Sequence, residues 1–335
     1  MQLFTRLLQR PVQTLQRLTE GRNSRVYRIR CSPSEGYIGK LYFQNPCDSR
    51  DRLGVEYQSF VFLHQHQITV VPRPICIDRA SACAIYEEVQ GRKLAPTEIQ
   101  NTHVIQCTDF LQNINQLRHL STSQALPSAS EACFSLAQFI ANIEQRLERL
   151  QGLQSSLPVY QQLRTFLNQQ VIPFLQKHAA RAATKYEQFG YARTTLLPQQ
   201  ERILSPSDFG FHNALVSDED QLFFVDFEYF GWDDPVKTIA DFLLHPAMLL
   251  TEAQKQLFTT VLLSHFEIPT WRLHVLYPLV GIKWIMILLN EFILSDRARR
   301  EFSLGESEDI SLVCAQQLLK SRSLLQSLQT HPYGP

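Results

Sequence analysis

The stretch SDFGFHNALVSDEDQLFFVDFE, residues 207 to 228, decides how this 335-residue chain is read. It joins a polar turn to a hydrophobic hairpin, with Asn213 five positions after Asp208 and Glu228 two after Asp226. Asp208 and Asn213 stand at the two ends of one short loop, and the run LFFVDF carries Asp226 out on the end of a buried strand. Three oxygen ligands then converge where a metal-bound triphosphate can lie. Magnesium is a hard ion that takes oxygen ligands in octahedral geometry and keeps several waters. One amide and one carboxylate, Asn213 and Asp226, plus substrate phosphates therefore suffice for it. Asp208 is left over as a base.

The length exceeds what one hydrophobic core usually organises, so two lobes around a cleft are expected, and 44% hydrophobic residues supply ample core. Basic and acidic residues balance at 32 each, and no basic run carries interleaved aromatics, so nucleic acid is not an expected partner. The seven cysteines, at 31, 47, 76, 83, 107, 133 and 314, are dispersed and never form a C-x-x-C pair, which fits a reduced, cytoplasmic compartment. The start, MQLFTRLLQRPVQ, places basic residues inside any apolar segment and lacks a small-residue cleavage pattern, so no signal peptide is expected. The most apolar stretch, LHVLYPLVGIKWIMILLNEFIL from residue 273, is interrupted by Lys283 and Glu291. It reads as a buried helix rather than a membrane span.

Residues 12 to 91 read as short β segments: VQTLQRLTE, SRVYRIR, YIGKLYF, VPRPICIDRA and ACAIYEEV. One helix interrupts them, RLGVEYQSFVFLHQH, whose apolar face is expected from Leu53, Tyr57, Phe60 and Val61, with Glu56 at its border. From about residue 97 the pattern turns helical: 98 to 120, 131 to 153 and 158 to 189, then TIADFLLH, TEAQKQLFTTVLLSHF and 271 to 295. No internal repeat and no low-complexity tract occurs. The division expected is a nucleotide-binding lobe over residues 1 to 91 and a helical lobe over 92 to 335.

A β-rich lobe with one helix, then a larger helical lobe holding D-x-x-x-x-N and a strand-borne D, is the order of the α+β, bilobal protein-kinase-like fold. Within that fold the chain resembles the aminoglycoside phosphotransferase and choline kinase group over roughly residues 12 to 295. LSPSDFGFHNALV is similar to that group's H-G-D-x-x-x-x-N loop, and FFVDFEYFGWDDP to its I-D-[WF]-E-x-x-x-x-x-D-P segment. The resemblance implies that Asp208 orients and deprotonates an acceptor hydroxyl while Asn213 and Asp226 hold magnesium on the phosphates of ATP. It implies that Lys40 binds phosphate and pairs with Glu56 sixteen residues on. It aligns Gly21, Arg22, Asn23 and Ser24 with the nucleotide-covering loop, where backbone N–H groups cap phosphate oxygens. It also sets Glu87 to Val89 at the inter-lobe hinge, where main chain meets adenine.

Three departures stand out: Pro206 replaces the group's histidine two before the catalytic aspartate, and the covering loop has one glycine. The second aspartate, four residues after D-P's own in the group, has here the candidates Asp234 and Asp241, seven apart. Several residues keep a bland reading beside the functional one. Lys40 taken alone is an ordinary strand lysine, and Gly21 an ordinary turn glycine. Asp208 and Asn213 are favoured turn residues. His212 reads as a loop hydrogen bond, Trp232 as loop packing or a stacking surface, and Glu228 as a metal contact or a solvated strand-end carboxylate.

Only fifteen residues separate Asp226 from Asp241, too few for a peptide-docking activation segment, whereas 117 separate Val89 from Pro206. Helical insertions of that kind wall a small-molecule pocket in the resembled group. A small hydroxylated acceptor is therefore expected, with a sugar or polyol preferred over an amino-alcohol or aminoglycoside. The rival is a nucleotide-binding pseudokinase serving as a scaffold. Oligomeric state leaves no trace in the sequence.

Overall fold

The structure is a computed structural model that describes residues 1–18, 24–44, 48, 50–293, 309–331 and 334. Its first part is an antiparallel five-stranded sheet in the order β1-β2-β3-β5-β4. The strands are β1 (Thr14–Leu18), β2 (Ser24–Ser32), β3 (Glu35–Tyr42), β4 (Pro74–Asp78) and β5 (Cys83–Glu87). Side chains alternate between faces along a strand, so each face buries its own set. Ile29, Cys83 and Ile85 lie under α1 (Gln2–Leu8), whose Phe4 ring sits over Gly39; a Cβ there would come within 2.4 Å of it. Helix α1 has no counterpart in the sequence reading, because seven residues are too few to show a period.

Tyr42, Ala84 and Tyr86 face the other way, onto α2 (Arg52–Gln65), and Lys40 shares their face because it pairs with Ala84. Asp51 caps α2 by accepting from the Gly54 amide. The buried stripe runs Leu53, Glu56, Phe60, Leu63, whereas Tyr57 and Val61 are only half-buried. Glu56 thus lies inside the apolar face, not at its border. Hydrophobicity alone cannot reveal a buried carboxylate whose partner comes from another strand.

Residues 88 to 91 cross to the helical part, and Arg92 exchanges backbone hydrogen bonds with Val216. There follow α3 (Asn101–Gln116), α4 (Ser121–Gln124), α5 (Leu136–Gln151), α6 (Pro158–Phe166) and α7 (Ile172–Gln188). The stretch read as one helix over 158 to 189 is divided by a π-turn at Leu167–Val171. Pro173 has no N–H to return to the preceding turn, and the backbone widens there. Two short antiparallel pairs come next, β6 (Ile203–Ser205) with β9 (Gly231–Asp233), and β7 (Ala214–Val216) with β8 (Leu222–Phe224). Helices α8 (Pro235–Leu244), α9 (Glu252–His265), α10 (Thr270–Leu288) and α11 (Ile310–Thr330) complete the described chain.

Helix α10 is apolar on every side because it runs through the centre of the lobe, between α5, α7, α8 and α11. The segment Thr270–Phe292 is long and apolar enough to cross a bilayer, yet 72% of its most apolar window is buried in the protein. At Gly281 the Leu328 side chain of α11 approaches so closely that a Cβ would lie 2.5 Å away. The sequence reading assigns no helix over α11, although Cys314, Leu318, Ser321, Leu325 and Leu328 form a buried stripe with heptad spacing.

Candidate active site

Lys40 gathers the cleft side of the sheet. Its Nζ is 2.6 Å from Glu56 Oε2, 2.5 Å from Asp226 Oδ1 and 4.0 Å from Glu228 Oε2. Tyr42 also donates its hydroxyl to Glu56 at 2.6 Å and lies 2.8 Å from Tyr86 Oη. Lys40 is only 6% exposed, which removes the solvated-lysine reading. Burial works against its ammonium, but Asp226, Glu56 and Glu228 outweigh that and hold its pKa well above the usual lysine value. Burial, reinforced by Asp226, pushes Glu56 up to about 7 despite Lys40. Glu228 is 1% exposed and raised by burial and by Asp226, so it is no solvated strand-end carboxylate. It stands 3.7 Å from Arg52 Nε.

Strand β6 delivers the chain to Asp208 through Pro206 and Ser207. Ser207 has φ 68°, a left-handed conformation, at the position where the resembled group has glycine. Its amide donates to Ser205 Oγ at 3.0 Å, and Thr238 Oγ1 bonds the same Ser205 hydroxyl at 3.0 Å. Thr238, four residues after Asp234, occupies the position of the group's second aspartate. Neither of the two candidate aspartates takes up that brace. Asp234 caps α8 through the Val236 amide and binds Arg272. Asp241 binds Lys237, Lys283 and the Trp284 indole.

The loop closes as its spacing requires. Asn213 Nδ2 donates to the Asp208 carbonyl at 2.9 Å, and the Val225 amide donates to the Asn213 carbonyl at 2.9 Å. The base of the β7 and β8 hairpin therefore ties Asn213 to the residue before Asp226. With its NH2 group committed to Asp208, the Asn213 amide oxygen remains for a cation. Asp226, also left-handed at φ 68°, presents a carboxylate that is 36% exposed. Three carboxylates, Glu56, Asp226 and Glu228, lie within 4.8 Å of one another around Lys40. An oxygen-only set carrying more acid than base fits a hard divalent ion such as magnesium.

Asp208 itself is contacted by two imidazoles. His212 Nε2 is 3.1 Å and His245 Nε2 3.8 Å from Asp208 Oδ1, and the two rings stack at 3.7 Å and 7°. His212 thus makes the loop hydrogen bond read from sequence. His245 was missed, because it ends α8 and has no motif of its own. Trp232 packs: it is buried in β9 and donates to the Ser123 carbonyl at 3.0 Å.

The hinge and covering positions are less uniform. Glu87 ends β5, and its amide donates to the Arg73 carbonyl at 2.9 Å; Val89 follows in the crossing segment. Ser24 is not in a turn, but opens β2 opposite Tyr42 and is buried. Gly21 and Asn23, with Arg22, lie outside the described residues.

No curated protein sequence matches this chain. Solved structures do share its fold. The spectinomycin phosphotransferase APH(9)-Ia in complex with ADP and spectinomycin aligns with TM-score 0.63 and 13% identity, covering 94% of this chain and 96% of that one. A gentamicin complex of APH(2")-IIa gives 0.60 and 12%, over 97% and 94%. The choline kinase LicA of Streptococcus pneumoniae gives 0.57 and 15%, over 97% of each. At those identities the likeness is one of fold, the protein-kinase-like fold. Residues 14–272 match the model of the phosphotransferase enzyme family, and it is to this family that the chain belongs.

Proposed function

We propose that this phosphotransferase moves the γ-phosphoryl group of ATP, with magnesium, onto a hydroxyl of a small molecule. One observation carries the reading: the Lys40 ammonium bonds Glu56 and Asp226 together, while the hairpin that ends in Asp226 is tied through Asn213 to Asp208. Phosphate-binding, metal-binding and proton-accepting groups from distant elements thus meet in one cleft. Phosphoryl transfer passes through a loose transition state, so catalysis is positioning and charge neutralisation.

Lys40, aimed by Glu56, binds phosphate oxygens. Asn213 and Asp226 would hold magnesium, which when bound neutralises phosphate charge. Asp208 receives the proton of the acceptor hydroxyl as the hydroxyl oxygen bonds the γ-phosphorus and the bridging bond to ADP breaks. Asp208 is met by the His212 and His245 imidazoles and by the Asn213 amide, none of which is an acidic group that would pair with a cationic acceptor. That supports a sugar or polyol over an amino-alcohol or aminoglycoside.

The test is ADP release by purified protein with magnesium, ATP and pooled sugars, polyols, amino-alcohols and aminoglycosides, beside Asp208→Asn. Absence of any Asp208-dependent release would refute the reading. Pro206 favours the second reading, a nucleotide-binding scaffold, for which ATP and magnesium stabilise the protein with no turnover on any pool.

A further inference from the structure

We propose that the stacked pair of His212 and His245 is the device that positions the Asp208 carboxylate, standing in for the braces lost at Pro206 and Thr238. The proposal rests on the reading of Asp208 as the proton acceptor. Its evidence is separate: the geometry of two side chains that no motif assigns.

The Nδ1 atom of His212 is buried without a hydrogen-bond partner. An orphaned N–H there would lose its full solvation, whereas a bare lone pair loses less, so the proton belongs on Nε2. Nε2–H then donates to Asp208 Oδ1 at 3.1 Å. The ring lies against Gly210, where a Cβ would fall 3.0 Å from Nδ1 and 2.7 Å from Met248 Sδ. Met248 in turn accepts from the Phe211 amide. Glycine at 210 therefore makes the space that lets His212 lie beside Asp208.

The second ring is held from behind. The His245 amide donates to the Asp241 carbonyl at 3.0 Å, and its imidazole meets the Trp284 ring edge-on at 4.7 Å and 87°. Trp284 Nε1 donates to Asp241 Oδ1 at 2.9 Å, and the same carboxylate is clamped by Lys237 at 3.0 Å and Lys283 at 2.5 Å. All three charged groups are buried. Breaking such a network leaves an uncompensated charge, so Trp284 and His245 have little freedom to move. The wall fixes His245, the stack fixes His212, and His212 fixes Oδ1. With Oδ1 held by His212 and Oδ2 met by Asn213 Nδ2 at 3.5 Å, the carboxylate is set for the acceptor hydroxyl. A shared metal ion does not explain the pair: the rings are parallel, so no single ion lies in both ring planes until the stack opens.

The test measures ADP release with magnesium, ATP and the acceptor pools for His212→Phe, His212→Gln, His245→Ala and wild type. His212→Phe keeps a stacking ring and removes the donor. It and His245→Ala should lower kcat about 10- to 100-fold, the effect of misplacing a reacting group by an ångström, with KM for ATP unchanged. His212→Gln, whose amide reaches the same point, should restore most of the loss. Wild-type kcat in His212→Phe, or no difference between Phe and Gln at 212, overturns the proposal. Should wild type itself show no Asp208-dependent turnover, the functional reading fails, and crystal structures decide the positioning separately. A displaced Asp208 carboxylate in His212→Phe upholds it, and an unmoved one overturns it.

Discussion

Lys40 and Asp226 lie 186 residues apart in the chain, and their side chains touch: Nζ is 2.5 Å from Oδ1. Strand β3 and the end of the β7 and β8 hairpin are brought together by this pair across the cleft. Any cation taken up by Asp226 must compete with the Lys40 ammonium for the same carboxylate. Phosphate entering the site offers Lys40 a replacement partner, so nucleotide and metal should bind together more tightly than either alone.

Asp226→Asn removes the charge that both Lys40 and a divalent ion use. Thermal shift with ATP should then become insensitive to magnesium, and magnesium-dependent ADP release should vanish, while the melting transition of the free protein stays cooperative. Retained magnesium dependence would take Asp226 out of the metal site.

Asp208→Ala deletes the proton acceptor and leaves the groups around Lys40 untouched. Turnover should fall by about 10²-fold or more, the scale of general base catalysis, with ATP affinity by calorimetry unchanged. An equal loss of nucleotide affinity would contradict its role.

Glu56 is raised from an ordinary 4.5 to about 7 by burial and by Asp226. Between those values the folded protein keeps a proton that the unfolded chain has lost, so this group's contribution to stability is full below about 4.5 and lost as pH rises through about 7. Glu56→Gln does not titrate. Its stability relative to wild type should therefore improve from pH 4.5 to 7 in metal-free protein, by at most about 3 kcal/mol. Urea denaturation across that range checks the sign, and a flat or falling difference would show that Glu56 ionises normally.

Ser207 holds a left-handed backbone at φ 68° without being glycine. Ser207→Gly should raise stability by about 1 kcal/mol by relieving the Cβ clash. Turnover should remain if conformation alone matters at this position. Loss of activity would assign the Ser207 hydroxyl a role in the site.

Much of this was legible in the sequence wherever the deciding interaction was local. Asp208 and Asn213 close one loop by a hydrogen bond across five residues, and strands β2, β3 and β5 overlap the stretches SRVYRIR, YIGKLYF and ACAIYEEV read as β. The order of strands, helix and hairpin sufficed for the fold because each element's pattern is set within its own length. Where several elements pack around one segment, as at α10, the pattern becomes uniformly apolar and loses its direction.

The sequence by itself determined the kinase-like order of elements and the residue types of the cleft: Lys40, Glu56, Asp208, Asn213 and Asp226. Tertiary structure decided how those residues are held. Glu56 lies within the apolar face of α2, Thr238 rather than Asp234 or Asp241 reaches Ser205, and His245, 37 residues from Asp208, stacks on His212. Each of these depends on a partner distant in the chain. Burial and pairing are properties of the packed fold, so no local pattern of hydrophobicity or spacing carries them.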